Sequence, residues 1–333
     1  VDFGISASDF AFWQGLFGLL TFGVFFVAFW SDRHGRRKGI LVLMLVMAIP
    51  ALLIAVLPLS YFFFMFLYAM VIMGTLSNLW EIPVSEEVPA SKRATFGGIA
   101  TLLSLLPVYA ILGPIIAKQL GWRWAYGIMG IVLLVLLLAW TKMREPKRWS
   151  TSKEERGHEL LQLKKALKSL DKTDLVYIAL CTLVYGIWTI SFKMGSTWGG
   201  YYYQNVKGLT ADEFSSILLV GGLLIMVGAI VSGVLMDKIG RRVTLVFGSV
   251  GSVIGFMWMA FTGNPIAFWS IYFFMPIVFT WIMVYFAEVF RTEIRSTAVG
   301  IATTGTRTSY VLGPLLASAL LSINDGMTTF WIV

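Results

Sequence analysis

Along almost the whole chain, apolar stretches about 20 residues long alternate with short clusters of charge, and that is the length of helix that spans the hydrocarbon of a bilayer. Ten such stretches run at approximately 11–30, 39–58, 61–84, 96–117, 124–142, 175–198, 213–236, 243–262, 266–288 and 297–322. Hydrocarbon offers backbone N–H and C=O groups no water, so a spanning segment must pair them within itself or within a closed barrel. Alternating apolar segments of strand length are absent, which leaves a helical bundle. The composition agrees, with 58% of residues apolar and 13% charged, about half the charge of an ordinary soluble domain. The expected fold class is an all-α membrane protein.

Charge orients the bundle. Alternate loops taken together hold 21 Lys and Arg residues on one side, ten of them between Lys142 and Lys172, whereas the other side has Lys118, Arg123 and Lys207. The positive-inside rule puts the first set in the cytoplasm, so residues 1–10 are expected outside a cell (inner) membrane and segment 143–173 inside. The net charge of +8 is then a topology signal, and because its charges alternate sides instead of forming one face, no nucleic-acid partner is expected. His34 and His158 lie in basic polar stretches and Cys181 in an apolar run, so no metal site, disulfide framework or cofactor is expected. Without a G-x-x-x-x-G-K phosphate loop, this sequence carries no nucleotide-driven motor of its own.

The chain also repeats itself. Gly23, Asp32, Gly35, Arg36 and Arg37 recur as Gly228, Asp237, Gly240, Arg241 and Arg242 at a constant shift of 205 residues. Glu86, Arg93, Gly98 and Thr101 recur as Glu288, Arg295, Gly300 and Thr303 at a shift of 202. Two halves of like topology follow, an N-terminal half at 1–142 and a C-terminal half at 174–333, joined by a charged linker at 143–173. In that linker Leu160, Leu163, Leu167 and Leu170 recur at spacings of three and four, as on an amphipathic helix. Parallel repeats with a site between them are one architecture of secondary transporters.

The repeated elements carry a resemblance. Asp32-Arg33-His34-Gly35-Arg36-Arg37-Lys38 resembles the loop signature of the major facilitator superfamily, and Asp237-Lys238-Ile239-Gly240-Arg241-Arg242 resembles its second-half echo. Glu86-x-x-Pro89-x-x-x-Arg93, Arg144-Glu145-Pro146-Lys147-Arg148-Trp149, and Arg295 followed by Gly300, Arg307 and Gly313-Pro314 are similar to elements of its sugar-porter and metabolite–proton symporter branches. The resemblance covers essentially the whole chain. It implies a bundle of two pseudo-symmetric six-helix halves, with the chain beginning just before the second of twelve helices and ending as the twelfth begins.

The motifs also have a physics of their own. A reversal of about eight residues between paired helices needs a permissive backbone, which Gly35 and Gly240 supply. Asp32 and Asp237 can sit near helix N-termini, and Arg36 and Arg241 can bridge to Glu86 and Glu288. With Arg33, Arg37, Arg93, Arg242 and Arg295 these groups form a candidate cytoplasmic gate; orientation by positive charge alone accounts for the basic residues but not for the repeated acids.

Two cations fall inside apolar stretches. Arg307 lies 12 residues past Arg295, roughly 18 Å along a helix and near the middle of a bilayer. A charge there is costly unless it meets a partner or a watery cavity, so Arg307 is either a substrate or coupling residue or half of an interhelix pair. Lys193 is nearer the outer surface, where snorkelling and substrate contact account for it equally well. Glu81, in Asn78-Leu79-Trp80-Glu81-Ile82-Pro83, is a candidate proton carrier, with ion pairing at the gate as the competing role. Asn78, Trp188, Tyr285, Tyr185 and Trp281 are candidates to line a cavity, although packed or lipid-facing aromatics are the commoner case.

The expected function is secondary active transport of a small polar, anionic organic solute by alternating access, coupled to protons, by a monomer embedded in lipid. A multidrug/proton antiporter fits the abundance of Met and aromatic residues but not two buried cations. A transporter-like sensor would share the fold without flux. For a membrane-embedded enzyme, no paired acids and no nucleophile with its base stand out.

Overall fold

The computed structural model describes residues 3–75, 116, 119–145, 170–290, 295–323 and 326–332. The expected span at 96–117 and the linker leucines Leu160, Leu163 and Leu167 fall almost wholly outside the described residues. Within them every regular element is a helix: α1 (Ala7–Gly18), α2 (Gly23–His34), α3 (Arg36–Val56), α4 (Tyr61–Thr75), α5 (Arg123–Lys142), α6 (Lys172–Tyr201), α7 (Ala211–Ile239), α8 (Arg241–Thr262), α9 (Pro265–Val289), α10 (Arg295–Gly305), α11 (Ser309–Leu321) and α12 (Gly326–Ile332). Six of these runs are long and apolar enough to cross a membrane. The chain is a multi-pass membrane protein.

The helix ends follow local chemistry. Asp171 and Asp174 make a reciprocal capping box that starts α6, Thr210 and Glu213 make another that starts α7, and Asn264 caps α9 ahead of Pro265. Two of the expected spans are interrupted. A 3₁₀ turn at Leu19–Phe22 separates α1 from α2, and another at Thr306–Thr308 separates α10 from α11. Tighter turns within a membrane helix change the direction in which side chains leave it.

The described residues form two compact units. Residues 3–4, 17–75 and 119–145 make the first. In it α3 packs against α5 where small residues let the backbones approach, Gly127 against Ala55 and Gly130 against Leu52. Leu43, Met47, Ala51, Ile54 and Met65 fill its interior.

Residues 5–16 and 170–332 make the second unit. There α9 lies between α7 and α8. The ring of Phe274 occupies the space a side chain on Gly251 would need, and Tyr272 is 2.9 Å from a Cβ placed on Gly221. On either side of Pro276, the Trp188 indole N–H donates to the Met275 carbonyl (2.8 Å) and the Ser232 hydroxyl to that of Ile277 (2.9 Å). These two bonds tie α6 and α7 to α9 beside the proline.

α6 runs parallel to α10 and α11 in a fixed register. Thr182 faces Gly305, Gly186 faces Ser309 and Ile190 faces Gly313, each pair four residues beyond the last. α1 closes on α11 through the Ser8 hydroxyl, which donates to the Ser318 carbonyl (2.8 Å), and through Gly15 against Leu315.

The reversal between paired helices is tighter than expected. α2 ends at His34 and α3 begins at Arg36, and α7 ends at Ile239 and α8 begins at Arg241, so a single glycine turns each pair. Gly35 has φ +119° and ψ 145°, and Gly240 has φ +87° and ψ 164°, a region open essentially to glycine alone. Asp32 and Asp237 therefore sit in the last turns of α2 and α7, not at helix N-termini. The helix dipole opposes an anion there, so each needs a cation nearby.

Candidate functional site

The basic end of the second unit is built around Arg241, the first residue of α8. Its guanidinium forms a fork on Glu288 at the end of α9, Nε to Oε2 at 3.1 Å and Nη2 to Oε1 at 2.8 Å. Nη1 donates to the Met236 carbonyl (2.8 Å) and to Asp237 Oδ1 (3.3 Å), so one side chain answers the last turn of α7 and joins it to α9. The Arg241 guanidinium holds the Glu288 carboxyl below the usual carboxylate range. A lowered carboxylate pKa means the pair stabilises the fold above that range and is lost as pH falls through the depressed value. Arg242 is the second residue of α8, and no ion pair of its own is found among the described residues.

These contacts make a definite expectation. Arg241→Gln and Glu288→Gln should each lower the thermal unfolding midpoint at neutral pH, and the double variant should lose no more than the larger single one. Strictly additive losses would show the fork to be energetically idle.

At the corresponding place in the first unit the partner is Glu145. Its Oε2 accepts the backbone N–H of Arg37 at 3.1 Å, in the first turn of α3, where an anion meets the positive end of the helix. A Cβ on Gly35 would fall on that carboxylate. The Arg37 guanidinium lies 4.4 Å over the Trp140 ring and donates to the Thr141 carbonyl (3.2 Å), while the Trp140 indole N–H donates to the Arg37 carbonyl (2.8 Å). The end of α5 thereby clamps the start of α3. Trp140 drew no role from the sequence, and Glu145 entered only as part of the motif Arg144-Glu145-Pro146-Lys147-Arg148-Trp149, without a partner. The side chains of Asp32, Arg33, Arg36 and Arg295, and all of Asn78, Glu81, Glu86 and Arg93, lie outside the described residues.

Deeper in the second unit the two membrane cations converge. The Lys193 ammonium lies 5.8 Å from the centroid of the Tyr310 ring, and Arg307 Cζ lies 5.9 Å from the same centroid. Both distances are within the reach of cation–π attraction. The register explains how this happens. Gly186 faces Ser309, and Lys193 is seven residues farther along α6, about 10 Å, so its stem must run back towards the level of Tyr310. Lysine side chains on a helix lean towards its N-terminus, and this one leans back along α6 towards Tyr310. Arg307 sits in the 3₁₀ turn three residues before Tyr310, on the same side of the helix. Lys193 makes no ion pair with a carboxylate among the described residues. Tyr310 itself was not singled out in the sequence, although its i+3 spacing from Arg307 was there to be read.

The aromatic candidates divide. Trp188 is held by Met275 and stacks on Phe192 (5.0 Å) and Phe279 (4.6 Å), and Tyr285 stacks on Trp281 at 4.4 Å. Both are partly buried in the packing of α6 against α9.

A bundle of spanning helices, a pair of one-glycine reversals each answered by a carboxylate, and cations at mid-helix together fit one family of membrane proteins. Residues 1–314 match the sequence profile of the Major Facilitator Superfamily. The chain belongs to that superfamily. It is a secondary transporter and not an enzyme. Among curated proteins it is similar to the cis,cis-muconate transport protein of Acinetobacter baylyi, 26% identical over 91% of this chain and 76% of the relative. The shikimate transporter of Escherichia coli is also 26% identical, over 91% and 75%. The glucose transporter GlcP of Staphylococcus epidermidis is 24% identical, over 91% and 76%. Among solved structures, the partially occluded inward-open xylose transporter XylE from E. coli superposes with a TM-score of 0.69 at 17% identity, covering 99% of this chain and 85% of that one. Superfamily relatives thus include carriers named for carboxylates and carriers named for sugars, so the substrate class of this transporter turns on its own residues.

Proposed function

We propose that this transporter carries a small polar organic anion by alternating access, with a proton as the coupling ion. The observation that carries the reading is the convergence of Lys193 and Arg307 on Tyr310 in the second unit. Two cations brought close together on membrane helices raise the local positive potential, which favours a negatively charged solute over a neutral sugar. Muconate and shikimate, the solutes named for two relatives, are both carboxylates. In this reading residues 1–142 and 174–333 are the rocking halves, 143–173 is their cytoplasmic linker in the inner membrane, and the protein works as a monomer. Asp32, Arg33, Gly35, Arg36, Arg37, Glu86, Arg93 and their partners Asp237, Gly240, Arg241, Arg242, Glu288 and Arg295 form the cytoplasmic gate. Asn78, Trp188 and Tyr285 contribute to the solute's surroundings.

The direct test is uptake into proteoliposomes of labelled carboxylates and of labelled glucose, with and without an inward proton gradient. Carboxylate uptake that accumulates only with the gradient is expected; glucose uptake without carboxylate uptake overturns the reading. Coupling is assigned to Glu81. Glu81→Gln should abolish gradient-driven accumulation yet leave solute exchange, because exchange needs no net change of protonation. Accumulation that survives the substitution removes Glu81 from that role.

A further inference from the structure

We infer that the joined ends of α3 and α5 bind an anionic phospholipid, its headgroup phosphate on Lys38, Lys142 and Arg144 and its acyl chains along the two helices. The site lies in the first unit and uses none of the residues assigned to the solute. It is built on the joint between the helices, where the Trp140 indole N–H donates to the Arg37 carbonyl (2.8 Å) and the Arg37 guanidinium donates to the Thr141 carbonyl (3.2 Å). Each of the three cations is next in the chain to a residue of that joint: Lys38 follows Arg37, Lys142 follows Thr141, and Arg144 precedes Glu145. Consecutive Cα atoms are 3.8 Å apart, so the joint gathers positive charge from both helices in one place. Lys38, Lys142 and Arg144 are exposed, and their side chains have no hydrogen bond or ion pair among the described residues. The carboxylate beside them is engaged elsewhere, because Glu145 faces Gly35 and accepts the backbone N–H of Arg37 at the positive end of α3.

What adjoins the charges selects the ligand. The run Arg123–Lys142 is long and apolar enough to cross a membrane, which puts Lys142 at the edge of the apolar thickness. Ile131, Val135 and Leu138 are 45%, 58% and 70% exposed and precede Lys142 by eleven, seven and four residues, so they form one outward stripe that ends at this cation. On α3 the order is reversed. Val42, Leu45 and Ile49 follow Lys38 by four, seven and eleven residues, with Ile49 51% exposed. A free phosphate or an acidic protein segment would engage the cations alone, whereas a phospholipid engages cations and stripes together.

The experiment is thermal unfolding of the purified full-length transporter in detergent, titrated with phosphatidylglycerol, with phosphatidylcholine of the same acyl chains, and with inorganic phosphate. A ligand of the folded state raises its apparent stability by mass action, so the readout is the concentration giving half-maximal stabilisation. Phosphatidylglycerol should act at a concentration at least about tenfold lower than phosphatidylcholine, inorganic phosphate should have no effect at equal concentration, and added salt should shrink the difference between the lipids. Each neutralised cation should raise the half-maximal phosphatidylglycerol concentration about fivefold, so Lys38→Gln does so once and Lys142→Gln with Arg144→Gln raises it about twenty-fivefold. Lys142→Arg with Arg144→Lys keeps both charges and should keep the original value, which separates loss of charge from damage to the joint. Lys207→Gln removes a cation of the second unit and should also keep it. Equal action of the two lipids, or an unchanged phosphatidylglycerol value in the double Gln variant, would overturn the site. Stabilisation by inorganic phosphate as effective as that by phosphatidylglycerol would overturn the lipid as its occupant.

Discussion

Arg307→Ala should reduce carboxylate uptake by about thirtyfold or more while the protein still folds and inserts. The size of the effect follows from where the charge is. In the anion reading a guanidinium far from both surfaces keeps its proton, and a solute carboxylate bound to it forms a charge-assisted pair away from bulk water. Removing one member of such a pair costs about 2–5 kcal/mol, which is roughly thirty- to several-thousandfold in affinity. Arg307→Lys should recover little of this, because the fork is lost and the shorter charge no longer reaches the same point over Tyr310. The measurement is transport by the variant beside its thermal unfolding midpoint. If Arg307 is instead one half of a permanent interhelix pair, its removal leaves an unmatched buried charge and the midpoint falls together with uptake. A stable Arg307→Ala transporter with undiminished uptake would take Arg307 out of the site altogether.

Gly35→Ala should be distinctly more damaging than Gly240→Ala, the equivalent substitution in the other half. Both glycines hold positive φ in a region other residues avoid, and that strain alone is worth about 1–3 kcal/mol. At Gly240 nothing lies within 4 Å of the added carbon, so strain is the whole penalty. At Gly35 the added carbon displaces the Glu145 carboxylate, and the backbone N–H of Arg37 loses its acceptor. The comparison is informative because the two residues occupy equivalent places in the internal repeat. Thermal unfolding of the two variants in the same detergent should rank Gly35→Ala below Gly240→Ala, and Glu145→Ala should narrow the difference by removing the obstruction. Equal losses at both positions would mean that Glu145 contributes nothing at the turn.

The spans were legible because lipid makes length and hydropathy nearly sufficient: α3, α5, α6, α7, α8 and α9 each cover one expected stretch to within a few residues. The fork of Arg241 on Glu288 was legible for a different reason, since the repeat pairs the same residue types twice and charge complementarity then leaves few choices. Three things were not. The 3₁₀ turns at Leu19–Phe22 and Thr306–Thr308 have no local signature in an apolar run, because a change from i−4 to i−3 bonding is decided by what the helix packs against. The direction of Lys193 depended on Tyr310, more than a hundred residues later, and a stem of that length can lean either way until the neighbouring helix is known. Trp188, Tyr285 and Trp281 were grouped as possible cavity walls, but aromatic residues at helical spacing look the same whether they face a solute or, like Trp188, donate to a carbonyl on the next helix. Asp32 and Asp237 were misplaced by one helix end because the turn needs one residue, not several.

That one-residue turn has a mechanical consequence. With Gly240 alone between them, α7 and α8 have no slack at the basic end, where consecutive Cα atoms are held 3.8 Å apart. Farther along they diverge around α9, which is wedged against both by Phe274 and Tyr272. A hinge pin at one end and a wedge between the arms make the three helices a single lever. With α7 about 43 Å long, a tilt of only about 10° about the turn sweeps its far end through roughly 7 Å while the turn itself hardly moves. Spin labels at the two ends of α7 should therefore report large distance changes at one end only, and a substitution that loosens the pin should shorten the stroke without touching any residue that meets the solute.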